Sequence, residues 1–202
     1  VLMTGMMMFG TRLILHKIFE ADTIFESIKA NKAPIFDGVP TMYMFMLNSP
    51  NLKNADLSSL NRCYVGGQTM PVATMTAVER EFKVPLIELW GMTEIAGLGA
   101  TFPLFGPNKH GSIGCAIPYC DLKIVDVNDC SKQMNIGEVG ELMVKGPITM
   151  MGYFGDDKKT RETLEPDGWL HSGDLAKMDR DGCVYIVDRK KDMIITGGYN
   201  VY

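Results

Sequence analysis

A chain of 202 residues, 46% of them hydrophobic, is long enough for one large domain or two small ones with a real core. Its 20 Lys and Arg against 24 Asp and Glu leave a formal charge of -4, a mild balance that argues against a nucleic-acid surface. The five cysteines (Cys63, Cys115, Cys120, Cys130 and Cys183) contain no Cys-x-x-Cys pair, so neither a zinc motif nor a disulfide framework is indicated, and reduced thiols in a cytoplasmic protein fit best.

The apolar run 1–15 contains Arg12, is too short to cross a bilayer and lacks the charged start of a signal peptide, so no transmembrane segment is expected. Residues 3–10 read as a buried helix and 11–16 as a strand. Asp22 is a good N-cap for a helix over 23–31, whose Ile24 and Ile28 share a face. Residues 34–36 read as a short strand, and Pro40 opens a helix to Leu47. A strand follows at 62–65, then a helix from Pro71 to Phe82 and a strand at 86–89. This alternation is the pattern of a parallel sheet with covering helices. The methionines Met6 to Met8, Met42, Met44 and Met46 read as core filler.

Beyond Gly99 glycine and proline become frequent and helical periodicity disappears. Residues 120–127 and 139–145 look like strands, and 160–164 like a short helical segment. A hairpin follows, with strands at 175–178 and 183–187 about the turn Asp179-Arg180-Asp181-Gly182. Many short strands with turn signals suggest a small β-barrel-like or sandwich unit. The chain therefore divides into an α/β parallel-sheet part (1–101), a small β-barrel-like part (102–187) and a charged junction that begins something further (188–202). Both ends read as cuts through a larger protein.

Three stretches can carry chemistry. Gly66-Gly67-Gln68 lies between a strand and a helix, where open α/β sheets let a ligand approach the backbone; a tight ligand-free turn is the plainer reading. Trp90-Gly91-Met92-Thr93-Glu94 closes the next strand. Trp90 offers a flat face, Thr93 a hydroxyl for a phosphate oxygen and Glu94 a ligand for magnesium; the alternative buries Trp90 and leaves Thr93 and Glu94 to cap a helix. The hairpin brings Asp174 and Arg189 side by side, either to share the hydroxyls of a sugar or as a surface ion pair. His171 and His110 read as solitary, and His171 as structural, because no cysteine or acid is spaced to make it a nucleophile's base.

Taken together, Trp-Gly-Met-Thr-Glu (90–94), Gly-Trp-Leu-His-Ser-Gly-Asp (168–174) and Tyr-Ile-Val-Asp-Arg-Lys-Lys-Asp (185–192) resemble the adenylate-forming enzymes. The likeness is strongest to fatty-acid and aryl-acid CoA ligases and covers nearly the whole chain, Val39-Pro40-Thr41 included. It implies part of the large domain of such an enzyme. The implied reaction is attack of a carboxylate on the α-phosphate of ATP, then transfer of the acyl group from AMP to coenzyme A.

By the same likeness Gly66, Gly67 and Gln68 line adenine, with Trp90 against its ring and Ile186 near the base, and Gly91 belongs to the same cofactor-binding set. Thr93 meets the α-phosphate and Glu94 the Mg2+ ion. Asp174 and Arg189 hold the ribose. Lys191 marks the hinge of the family's small C-terminal domain, and Gly197 and Gly198 line the pantetheine tunnel. The implied partners are a small carboxylic acid, ATP and CoA, with a homodimer possible in the full-length enzyme. The phosphate loop and the C-terminal lysine of the family are not among these residues, so the piece is expected not to make acyl-CoA unaided. An amino-acid-activating adenylation domain and a non-catalytic AMP-binding module are the alternatives.

Overall fold

The computed structural model describes residues 8–103, 106, 108–192, 194–196 and 199–201. They form two compact units, residues 1–88 and 89–202.

The first unit alternates helix and strand: α1 (Ala21–Asn31), β1 (Ile35–Gly38), α2 (Pro40–Asn48), β2 (Arg62–Gly66), α3 (Val72–Phe82) and the start of β3 (Leu86–Trp90). Strands β1 and β2 run parallel, with Ile35 opposite Arg62 and Gly38 opposite Val65. Helix α1 buries Ile24, Phe25 and Ile28, the apolar stripe of a 3.6-residue period. Helix α2 starts on Pro40, whose fixed φ suits a first helical position. It buries Tyr43 and Met46, one turn apart. The buried Tyr43 hydroxyl donates to the carbonyl of Tyr64 at 2.6 Å, so the ring enters the core without an orphaned polar group.

Four expectations for this unit need correction. Residues 11–16 form no strand; Leu15 is 75% exposed, and the segment forms no ladder with any described strand. Asp22 is not an N-cap. Helix α1 begins two residues earlier than expected, at Ala21 after Glu20. The Asp22 carboxylate instead accepts from Ser49 Oγ and Asn51 Nδ2, both at 2.7 Å, and these bonds hold it below the usual carboxylate range. Of Met42, Met44 and Met46 only Met46 is fully buried, and Met44 is 49% exposed. A spacing of two cannot keep three side chains on one face of a helix. Met8 is exposed rather than core, and the rest of the expected first helix lies mostly outside the described residues.

In the second unit the end of β3 pairs antiparallel with β4 (Ala100–Thr101), and β4 with β5 (Cys115–Ala116). A separate antiparallel sheet follows in the order β6 (Asp121–Val125), β7 (Gly140–Lys145), β8 (Leu170–Met178) and β9 (Val184–Arg189). Helix α4 (Asp157–Thr163) lies between β7 and β8, and the Asp156 carboxylate accepts from the backbone N–H of Lys159 at its start. A small hairpin, β10 (Ile194–Thr196) with β11 (Tyr199–Val201), ends the described chain.

The four-stranded sheet is open, not a closed barrel. Among the described residues no ladder joins β6 to β9. The outer edge of β9 is covered locally, where the Ile113 N–H donates to the Val184 carbonyl and the Val184 N–H to the Gly114 carbonyl, both at 2.9 Å. That pairing occupies part of the edge that barrel closure would use. The core of this unit gathers Trp90, Ile95, Ile124, Leu142, Val144, Leu170 and Val184.

The β8–β9 turn is tied by Asp179. Its Oδ1 accepts from the N–H groups of Asp181 and Cys183, and its Oδ2 from Lys109 Nζ at 2.6 Å and the Tyr185 hydroxyl. Lys109 first, helped by those donors, brings its pKa down to about 2. A lowered carboxylate pKa stabilises the fold above the unfolded value near 4, and that stability drains as pH falls toward about 2. Asp179→Ala is therefore expected to cost about 1–2 kcal/mol near neutral pH. Urea unfolding of both proteins checks this, and the gap between them should shrink as the pH is lowered through that window.

Candidate functional site

The site begins with an irregularity in β8. Across from Glu141 and Met143, two residues apart, stand Leu175 and His171, four apart, so β8 carries a bulge over Ser172-Gly173-Asp174. Gly173 takes φ 72°, a left-handed conformation that costs glycine nothing. The Ser172 hydroxyl patches the broken ladder: it donates to the Leu142 carbonyl at 2.6 Å and accepts from the Asp174 N–H at 3.0 Å. The local sequence Ser-Gly-Asp thus supplies a hydroxyl, a flexible φ and a carboxylate in the order the bulge requires.

The Asp174 carboxylate is buried and held on two sides. Trp90 Nε1–H donates to Oδ2 at 2.8 Å, and Arg189 Nε lies 2.8 Å from Oδ1. Asp174 and Arg189 face each other at the outer end of the β8–β9 ladder, after a one-residue register shift between Ala176–Ile186 and Leu175–Asp188. Burial pushes the Asp174 pKa up, while the indole hydrogen bond and the guanidinium oppose that rise. The Arg189 side chain is 57% exposed, so its remaining donors stand ready for a ligand oxygen.

Trp90 itself belongs to the core at 8% exposure. Behind it the chain turns through a short 3-10 helix, Thr93–Ile95, closed by Ala96 in the left-handed region. The Thr93 side chain is exposed and Glu94 half-buried. Glu94 is fixed at both ends: its carbonyl accepts from the Met150 N–H at 2.8 Å, and its Oε1 from the Tyr153 hydroxyl at 2.7 Å. A carboxylate beside an exposed hydroxyl is a hard-oxygen set of the kind Mg2+ takes when phosphate oxygens and water complete its shell.

Trp90, Gly91, Thr93, Glu94, Asp174, Ile186, Arg189 and Lys191 all lie in the second unit. Ile186 packs on the core that contains Trp90. Lys191 is exposed in the short 3-10 turn Lys190–Asp192. Gly66, Gly67 and Gln68 belong to the first unit, at the end of β2, where Gly67 has φ 85°. Gly197 and Gly198 lie outside the described residues.

Two features escape a reading by sequence. Tyr153, the partner of Glu94, is 59 residues away and carries no local signal. His171 is not solitary. Its Nδ1 lies 3.1 Å from Glu141 Oε2 and its Nε2 3.0 Å from Glu165 Oε1, which raises its pKa, the Glu141 bond most of all. Glu141 in turn accepts from Lys190 Nζ at 2.7 Å.

Comparisons with known proteins identify the chain's relatives. A long-chain-fatty-acid–CoA ligase of Bacillus subtilis is 38% identical over 96% of this chain, which covers 34% of that protein. A feruloyl-CoA synthase of an Amycolatopsis species is 36% identical over 96% of the chain and 39% of its own length. ATP-bound MatB from Rhodopseudomonas palustris superposes with TM-score 0.86 at 32% identity, over 94% of this chain and 37% of that one. The chain thus spans about a third of the length of the relatives it matches. Residues 1–154 match the AMP-binding enzyme family, and the chain belongs to it.

Proposed function

We propose that this chain carries the ribose and phosphate contacts of an acid–thiol ligase, which activates a hydrophobic carboxylic acid with ATP to acyl-AMP and passes the acyl group to coenzyme A. The observation that supports this most is the buried Asp174 carboxylate, presented by a bulge and held between the Trp90 indole and the Arg189 guanidinium. Such a fixed acceptor beside a cation suits the paired hydroxyls of a ribose.

In this reading Thr93 meets the α-phosphate, and Glu94, oriented by Tyr153, holds Mg2+ at that phosphate, where the ion offsets charge built up during acyl transfer. Ile186 serves the base, and Gly91 belongs to the same set of nucleotide contacts. Lys191 is the hinge and Gly198 borders the thiol channel. Trp90 supports Asp174 through its N–H while one edge of its ring meets adenine.

A fatty acid is the proposed substrate, since relatives named as long-chain-fatty-acid ligases from Bacillus and Salmonella are 38% and 44% identical. The division at 101 and 187, the cytoplasmic location and a homodimer of the full-length enzyme belong to the same proposal. No helix among the described residues is long and apolar enough to cross a membrane.

The test is pyrophosphate release from ATP with a panel of fatty and aryl acids. The 202 residues alone, without the family's phosphate loop and distal lysine, are expected to release little. A longer protein containing this chain is expected to turn over apolar acids. Turnover by the short chain comparable to that of an intact ligase refutes the first expectation, and failure of the longer protein with every acid refutes the second.

A further inference from the structure

At the start of β8, the strand that also carries Asp174, the second unit gathers three side chains of different donor type. Cys130, Glu165 and His171 offer a sulfur, a carboxylate oxygen and a ring nitrogen, all within 4.8 Å of one another. We propose that they form a binding site for a zinc-class divalent cation, with water completing a tetrahedral shell.

The chemistry of the set points to zinc. Zn2+ accepts thiolate, imidazole and carboxylate together, whereas calcium and magnesium want oxygen alone. Tetrahedral ligands at usual Zn–S and Zn–N lengths stand roughly 3.3–3.8 Å apart. Cys130 Sγ is 3.7 Å from Glu165 Oε1, and His171 Nε2 is 3.0 Å from the same atom. Small rotations of these half-buried side chains suffice to admit the ion.

The surroundings also suit a metal. His171 is oriented from behind: Glu141, whose side chain is 3% exposed, accepts a hydrogen bond from Nδ1–H, and Lys190 fixes Glu141. A carboxylate on the far nitrogen sets the tautomer that leaves Nε2 to ligate. The cation would displace the Nε2 proton now shared with Glu165.

Cys130 sits on a tied loop after β6. There the Asp126 N–H donates to the Lys132 carbonyl, and Val125 bridges Gln133. Glu165 sits in a turn where its own N–H donates to the Trp169 carbonyl. A cavity of about 270 Å3, bordered by Cys130, Glu165, Lys123 and Met143, opens beside two of the three ligands. The cation would clip the loop after β6 to the start of β8. Sequence spacing hides the set, because its members lie 35 and 6 residues apart.

Cobalt(II) and zinc(II), each alone, are the probes, titrated into the reduced chain. Wild type is expected to give the intense visible bands of tetrahedral cobalt and a thiolate charge-transfer band, both bleached by zinc, and its thermal midpoint should rise with zinc. Cys130→Ser and His171→Ala are each expected to weaken zinc by more than about 100-fold, beyond the loss usual for a supporting partner. Glu165→Gln should weaken it less.

Cys115 and Cys183 have their sulfurs 3.5 Å apart and are the rival thiols. Cys115→Ser is expected to leave the spectrum unchanged. Equal zinc affinity in wild type and Cys130→Ser, or loss of the thiolate band in Cys115→Ser instead, overturns the proposal. Cys130 is only half-buried, so its serine variant is expected to fold, and its thermal midpoint without metal checks this.

Discussion

Asp174→Ala is expected to cost both stability and nucleotide affinity. The substitution leaves the Trp90 indole N–H buried without its acceptor and frees Arg189 from its partner. Removing one member of a buried charged hydrogen-bond set costs about 2–4 kcal/mol. Losing two charge-assisted bonds to a ribose is expected to lower AMP affinity by about 2–4 kcal/mol, or roughly 30- to 1000-fold.

Asp174→Asn separates the two effects. Its amide oxygen can still accept from Trp90, so the fold should persist, while the charge facing Arg189 and the ribose is gone. Urea unfolding reads the first effect and calorimetric AMP titration the second. An alanine variant that folds and binds AMP like wild type excludes Asp174 as the sugar contact.

Gly91→Ala is expected to be equally severe for a steric reason. A Cβ at position 91 would overlap the carbonyl oxygen of Gly97 and stand 2.9 Å from Leu98 Cα. Both obstacles are backbone, so no side chain can swing aside. The loop bearing Thr93 and Glu94 must rearrange, at a cost of about 3 kcal/mol or more. Gly155→Ala is the control, because the space around it is open although its φ is 70°. That change should cost only about 1–2 kcal/mol and spare binding. Urea midpoints for the two variants give the comparison, and near-equal midpoints would mean that the loop around Gly91 yields easily.

The parts of this fold that the sequence discloses are those with a local cause. Pro40 starts α2 because its φ is fixed, and Gly182 makes a turn because it tolerates positive φ. Once the turn is placed, Asp174 and Arg189 fall at the outer ends of the paired strands, although a one-residue shift in β9 beyond Ile186, which the turn does not disclose, decides that Arg189 rather than Asp188 stands opposite Asp174. The three-motif likeness likewise needs only order and spacing.

What stays hidden is decided by partners far along the chain. Trp90 reads either as a flat face for a base or as a core residue, and neither reading discloses that Asp174, 84 residues on, claims its N–H. Asp22 has the chemistry of a cap, but Ser49 and Asn51 offer its carboxylate better donors. Residues 11–16 have the composition of a strand, but composition supplies no partner for its hydrogen bonds. The bulge at Ser172 to Asp174 shows only in the ladder, although a Gly between two hydrogen-bonding residues inside a strand is the signal that can find it.

Titrating AMP into the isotope-labelled chain, and following the backbone and indole N–H resonances, tests most directly whether these residues serve one mononucleotide. The Trp90 indole N–H and the amides of Thr93, Glu94, Asp174 and Arg189 are expected to shift together along one saturating curve, and GMP should move them less. If AMP leaves those five resonances in place while others saturate, or if the five follow different curves, the shared nucleotide site is contradicted.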